Sequence, residues 1–239
     1  MKDELFWKTY FKVYDKLNIL IPYQDTLDTI TNVADIQKGD HILDLGSGTG
    51  NLSVKMTERG AIVTGFDLSV TGINIHKHKQ SSVRIVLGDI STRLPFDDNS
   101  FDKICSNNVI YTLEPKLRQS IYNELFRIVK PGGCVVISNI AVGFSPFKIY
   151  LSHLVQSIRL RGIFRTGFQA IRLMLPTLRI FYYNYLIKKR NGNRSYSFIE
   201  VGEQEKMMEN ACFFIPEPYI RTYANQAILI KGIKHNNHG

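Results

Sequence analysis

The feature that most constrains the fold is a ten-residue stretch, 41–50, in which an apolar run leads into alternating glycines. Gly46, Gly48 and Gly50 fall at every second position after it. This order is typical of a buried strand that ends in a tight turn, where the missing side chains let the backbone approach a ligand. The acid Asp44 lies just before the turn, so the turn is a poor phosphate site. It suits a ligand that carries positive charge.

Strand and helix patterns alternate from residue 39 to about residue 140. Short β-branched apolar segments recur between segments with helical spacing, which predicts an α/β fold with a parallel sheet and right-handed crossovers. The predicted strands are 41–45, 61–67, 83–89, 103–107 and 134–139. The predicted helices between them are 52–59, 70–79 and 116–129, and Pro131-Gly132-Gly133 ends the last one.

A length of 239 residues and an apolar content of 44% fit one domain with a full core. We predict a helical cap over 1–38, because aromatic residues there share one helical face, and a core over 39–143. A basic, apolar helical insertion follows at 144–195. The final section, 196–235, reads as a last helix and a terminal hairpin built from 212–223 and 226–233. The aromatic face of the cap consists of Trp7, Tyr10, Phe11 and Tyr14.

The cysteines and the lack of targeting signals indicate the compartment. Cys105, Cys134 and Cys212 are far apart and lack the spacing of metal ligands, so we expect reduced buried thiols and no metal site. The N-terminus has no apolar signal region, and no uncharged apolar run approaches the ~18 residues of a spanning helix. A cytoplasmic location is therefore expected.

The tight turn at Gly46, Gly48 and Gly50, here called the glycine turn, is followed by further motifs, and together they resemble those of a known family. A dinucleotide site of the G-x-G-x-x-G type places its third glycine one residue later and normally lacks the preceding acid. The segment 43–50, Leu-Asp-Leu-Gly-Ser-Gly-Thr-Gly, instead resembles the first motif of class I S-adenosylmethionine-dependent methyltransferases. Segments 65–69, 88–90, 94–102 and 127–133 match later landmarks of that family in order.

The resemblance covers about residues 39–140. It is closest to the small-molecule and lipid methyltransferases that include the ubiquinone and menaquinone C-methyltransferases. It implies a Rossmann-like, mostly parallel seven-stranded sheet with an antiparallel terminal hairpin, N-terminal helices and a helical insertion after the fifth strand. It implies residues 39–143 as the cofactor-binding core, with S-adenosyl-L-methionine as the cofactor.

The same resemblance assigns roles in cofactor binding. Asp44 holds the cationic amino end, directly or through water, together with the backbone carbonyl of Asn107. Asp67 accepts hydrogen bonds from both ribose hydroxyls, and Asp89 accepts one from the adenine amino group. Leu68 packs on the adenine. Taken singly, Asp67 and Asp89 could also be ordinary acids at the end of a strand that cap the following turn. The implied cofactor-binding residues are Asp44, Gly46, Ser47, Gly48, Gly50, Asp67, Leu68, Asp89, Ile90 and Asn107.

Catalysis by this class needs little from the protein beyond alignment. Methyl transfer from a sulfonium is an in-line displacement with an activated leaving group, and alignment alone is worth up to ~7–11 kcal/mol. A base is needed only where the nucleophile carries a proton. The candidates are Tyr111, which follows the fourth strand, with His153 and Tyr14, although no motif assigns them. We expect His76 and His78 to be exposed and solvated.

The insertion lies in a stretch without acids. No Asp or Glu occurs between Leu125 and Ile199, where twelve Lys and Arg lie, whereas the rest of the chain holds more acids than bases. Four arginines fall within a ~40° stripe at helical spacing. Three interpretations remain: an amphipathic helix on an anionic membrane, a nucleic-acid phosphate site, or a lid with solvated arginines. The stripe consists of Arg161, Arg165, Arg172 and Arg179.

The expected function is methyl transfer to a small-molecule, lipophilic acceptor such as a quinone, polyprenyl or phospholipid. An RNA methyltransferase and a non-catalytic protein that binds S-adenosylmethionine are the alternatives. Under the membrane interpretation, a cytoplasmic protein lies peripherally on the inner face of the membrane.

Overall fold

The computed structural model describes residues 15–164, 178, 182 and 198–236. The aromatic face predicted for the N-terminal cap, including Tyr14, lies outside these ranges. So do three of the four stripe arginines, Arg165, Arg172 and Arg179. Within the described ranges, every helix is too short or too polar to cross a bilayer.

Seven strands form one sheet in the order β3-β2-β1-β4-β5-β7-β6. The first five pair in parallel, whereas β7 runs antiparallel to both β5 and β6. The predicted fold class is therefore confirmed. The strand order reverses between β1 and β4, and such a reversal opens a crevice at the carboxyl ends of the strands, where α/β proteins bind ligands. The strands are β1 (His41–Leu45), β2 (Ile62–Asp67), β3 (Arg84–Leu87), β4 (Phe101–Asn107), β5 (Val129–Ile140), β6 (Ile220–Thr222) and β7 (Ala227–Ile233).

Helices cover both faces of the sheet because successive strand residues point to opposite sides. On β5, Val135 and Ile137 join one core while Val136 joins the other. Helices α4 and α6 pack on the first core, and α1, α2 and α5 contribute to the second. The helices are α1 (Ile21–Val33), α2 (Asn51–Glu58), α3 (Val70–Lys79), α4 (Pro115–Ile128), α5 (Pro146–Arg161) and α6 (Glu203–Asn210), and 3-10 turns span Asp15–Ile19 and Ile110–Thr112.

Two strands differ most from the predicted bounds. The run 212–223 contributes only the three-residue β6, since Pro216 and Pro218 have no N–H to donate to a ladder. Strand β5 begins at Val129, ahead of the Pro-Gly-Gly segment, because Val129 pairs with Phe101 before a register shift. At Gly133, an added Cβ would lie 2.5 Å from the carbonyl oxygen of Asp102, so a glycine fits this irregularity.

The predicted insertion starts with α5, which lies against α1. The backbone N–H of Ile21, at the start of α1, donates to Nδ1 of His153 on α5 over 3.2 Å. Ile149, also on α5, is buried in the core that α1 and α2 share. The sixteen-residue helix α5 is thus anchored to the body of the domain.

Candidate functional site

The glycine turn lies at the carboxyl end of β1 in a left-handed backbone conformation. Gly46, Gly48 and Gly50 have φ of 72°, 50° and 82°, values that favour glycine. An added Cβ at Gly46 would lie 2.2 Å from Cγ2 of Val109, and one at Gly50 would lie 2.2 Å from Cδ2 of His76. The turn is therefore packed closely on its inner side and needs glycine at both positions.

Asp44 is a buried carboxylate directly before this turn. It is 1% exposed, and its Oδ2 accepts a hydrogen bond from Oγ of Ser53 over 2.6 Å. Burial raises the pKa of Asp44 to about 7, although the Ser53 hydroxyl opposes the shift. A buried carboxylate is stabilised in its charged form by a nearby cation. This site therefore suits a ligand with a cationic group.

Asp67, at the end of β2, ties the turn to the neighbouring strand. Its Oδ2 accepts from the N–H of Gly48 over 2.8 Å and its Oδ1 from the N–H of Ser69 over 2.7 Å. Burial raises the pKa of Asp67, against these two hydrogen bonds. Each carboxylate oxygen has two acceptor positions, so the group keeps capacity for a ligand while it caps its turn.

The residues predicted to surround the adenine follow β2 and β3. Leu68 is 65% exposed, an open apolar side chain beside the Asp67 carboxylate. Asp89 accepts a hydrogen bond from the N–H of Ser91 over 2.8 Å, which is the capping role considered as an alternative. Ile90 packs at the edge of the core.

Three buried polar atoms around the crevice have no hydrogen-bond partner among the described residues. They are Oγ of Ser47 in the turn and the side-chain oxygens of Asn107 and Asn108 after β4. Buried polar atoms are normally paired, so unpaired acceptors on both sides of the β1–β4 reversal point to a ligand with hydrogen-bond donors. An ammonium and hydroxyl groups, as in S-adenosylmethionine, fit this set.

Aromatic rings line the carboxyl edge beside the crevice. The ring centroids of Tyr111 and Phe198 are 6.0 Å apart, and those of Phe144 and Phe198 are 5.7 Å apart. Tyr23 and Tyr223 form a second pair at 6.0 Å. Burial raises the pKa of Tyr223, with smaller contributions from Tyr23 and Tyr111. We call these five residues the aromatic cluster.

A buried arginine fixes the turn that carries Tyr111. Arg118 on α4 donates to the carbonyl oxygens of Tyr111 and Leu113, each over 3.3 Å. Its Nη1 also pairs with Oε1 of Glu203 on α6 over 2.5 Å. The N–H of Tyr111 donates to Oδ1 of Asn139 on β5 over 3.3 Å. No local sequence pattern predicted this network, which holds the 3-10 turn after β4 in place.

The three catalytic candidates differ in their surroundings. Tyr111 belongs to the aromatic cluster beside the crevice. His153 is buried between α1 and α5, where burial lowers its pKa and its Nδ1 accepts the N–H of Ile21. Tyr14 lies outside the described residues. A catalytic role for any of them stays a prediction.

The prediction that His76 is exposed was wrong. Its side chain is fully buried beneath Gly50, and neither ring nitrogen has a hydrogen-bond partner among the described residues. Burial lowers the pKa of His76 to about 4, so the ring is neutral at physiological pH. Helical spacing offered one signal, since His76 shares a face of α3 with the buried Ile73.

Comparison with known proteins matches residues 43–137 to the methyltransferase domain family. The chain is 30% identical over 132 residues to a demethylmenaquinone methyltransferase of Paenarthrobacter aurescens, covering 54% of this chain and 51% of that protein. It is also 30% identical to a malonyl-[acyl-carrier protein] O-methyltransferase of Serratia marcescens, covering 50% of this chain and 46% of that protein. The chain thus spans about half the length of the curated relatives it matches.

Solved structures share the fold at low identity. A SAM-dependent methyltransferase from Aquifex aeolicus superposes with a TM-score of 0.60 at 13% identity, covering 95% of this chain and 98% of that one. The magnesium protoporphyrin IX methyltransferase of Synechocystis, with bound S-adenosylhomocysteine, gives 0.59 at 16% identity, covering 91% and 85%. Residues 43–137 therefore match the methyltransferase domain family, and these structures show that the chain shares the methyltransferase fold.

Proposed function

We propose that this protein is a methyltransferase that transfers a methyl group from S-adenosyl-L-methionine to a small-molecule, lipophilic acceptor. The observation that carries the proposal is the buried carboxylate of Asp44 beside the left-handed glycine turn at the β1–β4 reversal. A carboxylate at this place favours a cationic ligand over a phosphate. When bound, the cofactor supplies a methyl group on a positively charged sulfur.

The residues of the chain then bind and orient the cofactor. Asp44, with the backbone carbonyl of Asn107, offers acceptors to the amino end, and Asp67 offers them to the ribose. The unpaired side-chain oxygen of Asn107 is a further acceptor at the same place. The glycine turn permits close approach of the backbone because no side chain stands in the way. Alignment of acceptor and methyl group, with exclusion of water, is the main contribution that such a site makes to the rate.

The aromatic cluster supports the lipophilic class of acceptor. Its five rings lie beside the crevice, and apolar and aromatic linings with few polar groups are typical of small-molecule sites. The relatives named above are methyltransferases of demethylmenaquinone, of malonyl-[acyl-carrier protein] and, at the level of fold, of magnesium protoporphyrin IX. We therefore place the acceptor next to Tyr111 and Phe198.

Calorimetry with S-adenosylhomocysteine tests the cofactor part of this proposal. We expect one site per chain, and absence of binding by the native protein would overturn the proposal. Transfer of a labelled methyl group to a panel of quinones, phenols and acyl thioesters tests the enzymatic part. Cofactor binding without transfer to any acceptor would favour a non-catalytic binding protein instead.

Cofactor binding should depend on pH through Asp44. Because the pKa of the free site is about 7, Asp44 is largely protonated at pH 6 and must lose its proton to pair with a cation. The dissociation constant of S-adenosylhomocysteine should therefore fall about tenfold between pH 6 and pH 8. Calorimetry across this range measures the change. Asp44→Asn should bind more weakly and lose most of this pH dependence, and an unchanged dependence in that variant would exclude Asp44 as the titrating group.

The same raised pKa has the opposite effect on the stability of the free protein. The folded state keeps a proton on Asp44 at pH values where the unfolded chain has lost it, from about 4 to about 7. The contribution of Asp44 to the free energy of unfolding therefore falls as the pH rises through that window. Binding of a cationic ligand and stability of the free protein thus respond to pH with opposite signs.

We also propose that the protein works in the cytoplasm as a peripheral protein at the inner face of the membrane. The acid-free stretch between Leu125 and Ile199 supports this, since Lys and Arg near an anionic surface each contribute on the order of 1 kcal/mol. Arg161, at the end of α5, is the member of the predicted arginine stripe that lies within the described residues. Flotation of the native protein with anionic liposomes tests the association, and failure to float would exclude it.

A further inference from the structure

Helix α5 has an inward face that is partly polar. Ile149, His153 and Ser157 recur at every fourth residue and are all buried, at 3%, 1% and 0% exposure. Two of these three residues are polar, and His153 serves the start of α1 as a hydrogen-bond acceptor. The face of α5 that packs on the domain is therefore not its most apolar face.

The outward face of α5 is entirely apolar along one stripe. Phe147, Leu151, Val155 and Ile158 follow each other at spacings of four, four and three, and are 63%, 48%, 42% and 43% exposed. At 3.6 residues per turn these side chains fall within about 80° of each other. A helix on the surface of a water-soluble protein normally turns its apolar stripe inward and its polar face outward. Helix α5 reverses that arrangement.

Cations lie along both sides of the apolar stripe. Around the helix axis, Lys148 and Arg159 lie about 20–40° past Val155, at one edge of the stripe. Arg161 lies about 40° past Phe147, at the opposite edge. The helix carries no acid, and neither does the chain from residue 126 to residue 199. An apolar stripe between two rows of cations is the arrangement of helices that lie in the interface of an anionic bilayer.

We propose that α5 docks on an anionic lipid bilayer through the stripe of Phe147, Leu151, Val155 and Ile158, with Lys148, Arg159 and Arg161 at the headgroups. This names the docking surface for the membrane association proposed above, and it rests on that association. The helix lies in the plane of the interface with its apolar side chains among the upper parts of the acyl chains.

The chemistry of the stripe favours lipid over two other occupants. Nucleic-acid phosphates would require cations at the centre of the contact, where four apolar side chains stand. A second copy of the chain, related by two-fold symmetry, would bring the cations beside one stripe toward the cations beside the other, with no acid on α5 to compensate. An anionic bilayer meets both the apolar centre and the cationic edges.

The position of α5 also connects the bilayer with the acceptor site. Phe144 of the aromatic cluster lies two residues before the first residue of the helix, and Tyr23 of the same cluster lies on α1, which α5 contacts. A lipophilic acceptor that enters from the bilayer beside α5 therefore has a short path to the aromatic cluster.

Flotation with liposomes of phosphatidylglycerol and phosphatidylcholine tests the docking surface. The variant Phe147→Ser/Leu151→Ser/Val155→Ser/Ile158→Ser should lower the partition onto anionic liposomes about a hundredfold. The matched control is Ile62→Ser, which replaces a 54% exposed apolar residue at the start of β2 and should partition like the native protein. A second variant, Lys148→Gln/Arg159→Gln, keeps the stripe and should lose about fivefold per charge on anionic liposomes.

Calorimetry with S-adenosylhomocysteine separates this inference from the proposed function. The stripe variant should bind the ligand as the native protein does, which also shows that it is folded. Native flotation that the stripe variant retains would overturn the docking surface while leaving methyl transfer intact. If the native protein partitions onto liposomes of pure phosphatidylcholine as well as onto liposomes that contain phosphatidylglycerol, the requirement for an anionic bilayer is overturned. A native dimer in sedimentation that the stripe variant converts to a monomer would assign the stripe to a second copy instead.

Discussion

Replacing Asp67 by Asn should weaken the binding of S-adenosylhomocysteine at least about a hundredfold. The carboxylate stands at the end of β2, where it accepts the N–H of Gly48 and the N–H of Ser69 and keeps acceptor positions for two ribose hydroxyls. Hydrogen bonds to a charged acceptor are worth about 1.5–3 kcal/mol each. Asparagine removes the charge and turns one acceptor into a donor, which would face the Gly48 or Ser69 N–H.

The matched control for this change is Asp97→Asn. Asp97 is an exposed acid in the loop before β4, and its replacement should leave the affinity within a factor of two. Calorimetry at pH 7.5 gives both dissociation constants, and circular dichroism establishes that the variants are folded. An affinity of Asp67→Asn equal to that of the control would remove Asp67 from the cofactor site and leave it as a capping residue of its own turn.

Replacing Arg118 by Met should lower the free energy of unfolding by about 3–5 kcal/mol. Arg118 is fully buried and pairs with Glu203, and it also donates to the carbonyl oxygens of Tyr111 and Leu113. Methionine fills part of the volume but leaves the two buried carbonyl oxygens without their donor and the partly exposed Glu203 without its cation. Removing one partner of a largely buried network is the costly way to break it. For a chain of this size the midpoint of thermal unfolding should fall by roughly 10 °C.

The same helix provides the control. Lys116 on α4 pairs with Glu114 over 3.0 Å, but both side chains are exposed, at 76% and 49%. Lys116→Met should cost less than about 1 kcal/mol, because exposed ion pairs contribute little. Thermal unfolding followed by calorimetry compares the two variants. Equal small losses would mean that the Arg118 network adds little to stability and that the turn carrying Tyr111 is held by packing.

Much of the core was predictable because its signals are local. Three local signals predicted the mostly parallel sheet and the α/β fold class. They are the apolar run before the glycine turn, the acid Asp44 and the alternation of short strands with helices. The length of β6 was overestimated because the apolar run 212–223 has the composition of a strand. Pro216 and Pro218 in that run have no backbone N–H to donate to a neighbouring strand.

The buried polar residues were not predictable from local patterns. Arg118 looks like an ordinary surface residue of an amphipathic helix until α6 brings Glu203 to it from 85 residues away. His76 lies in a run of basic residues near the end of α3, which suggests solvent, although the backbone of two glycines leaves room for its ring. Both positions depend on how distant elements meet, and one sequence carries no direct record of that.

The fit of His76 against Gly50 in the glycine turn and Gly65 on β2 has an evolutionary consequence. An added Cβ at Gly65 on β2 would lie 2.9 Å from Oγ of Ser47 and 3.0 Å from Cε1 of His76. Gly65 does not have the positive φ of the turn glycines, so space, and not backbone strain, keeps a side chain out. The volumes at positions 47, 65 and 76 should therefore be linked during divergence: relatives with smaller residues at 47 and 76 should admit alanine or serine at 65, and the three positions should co-vary.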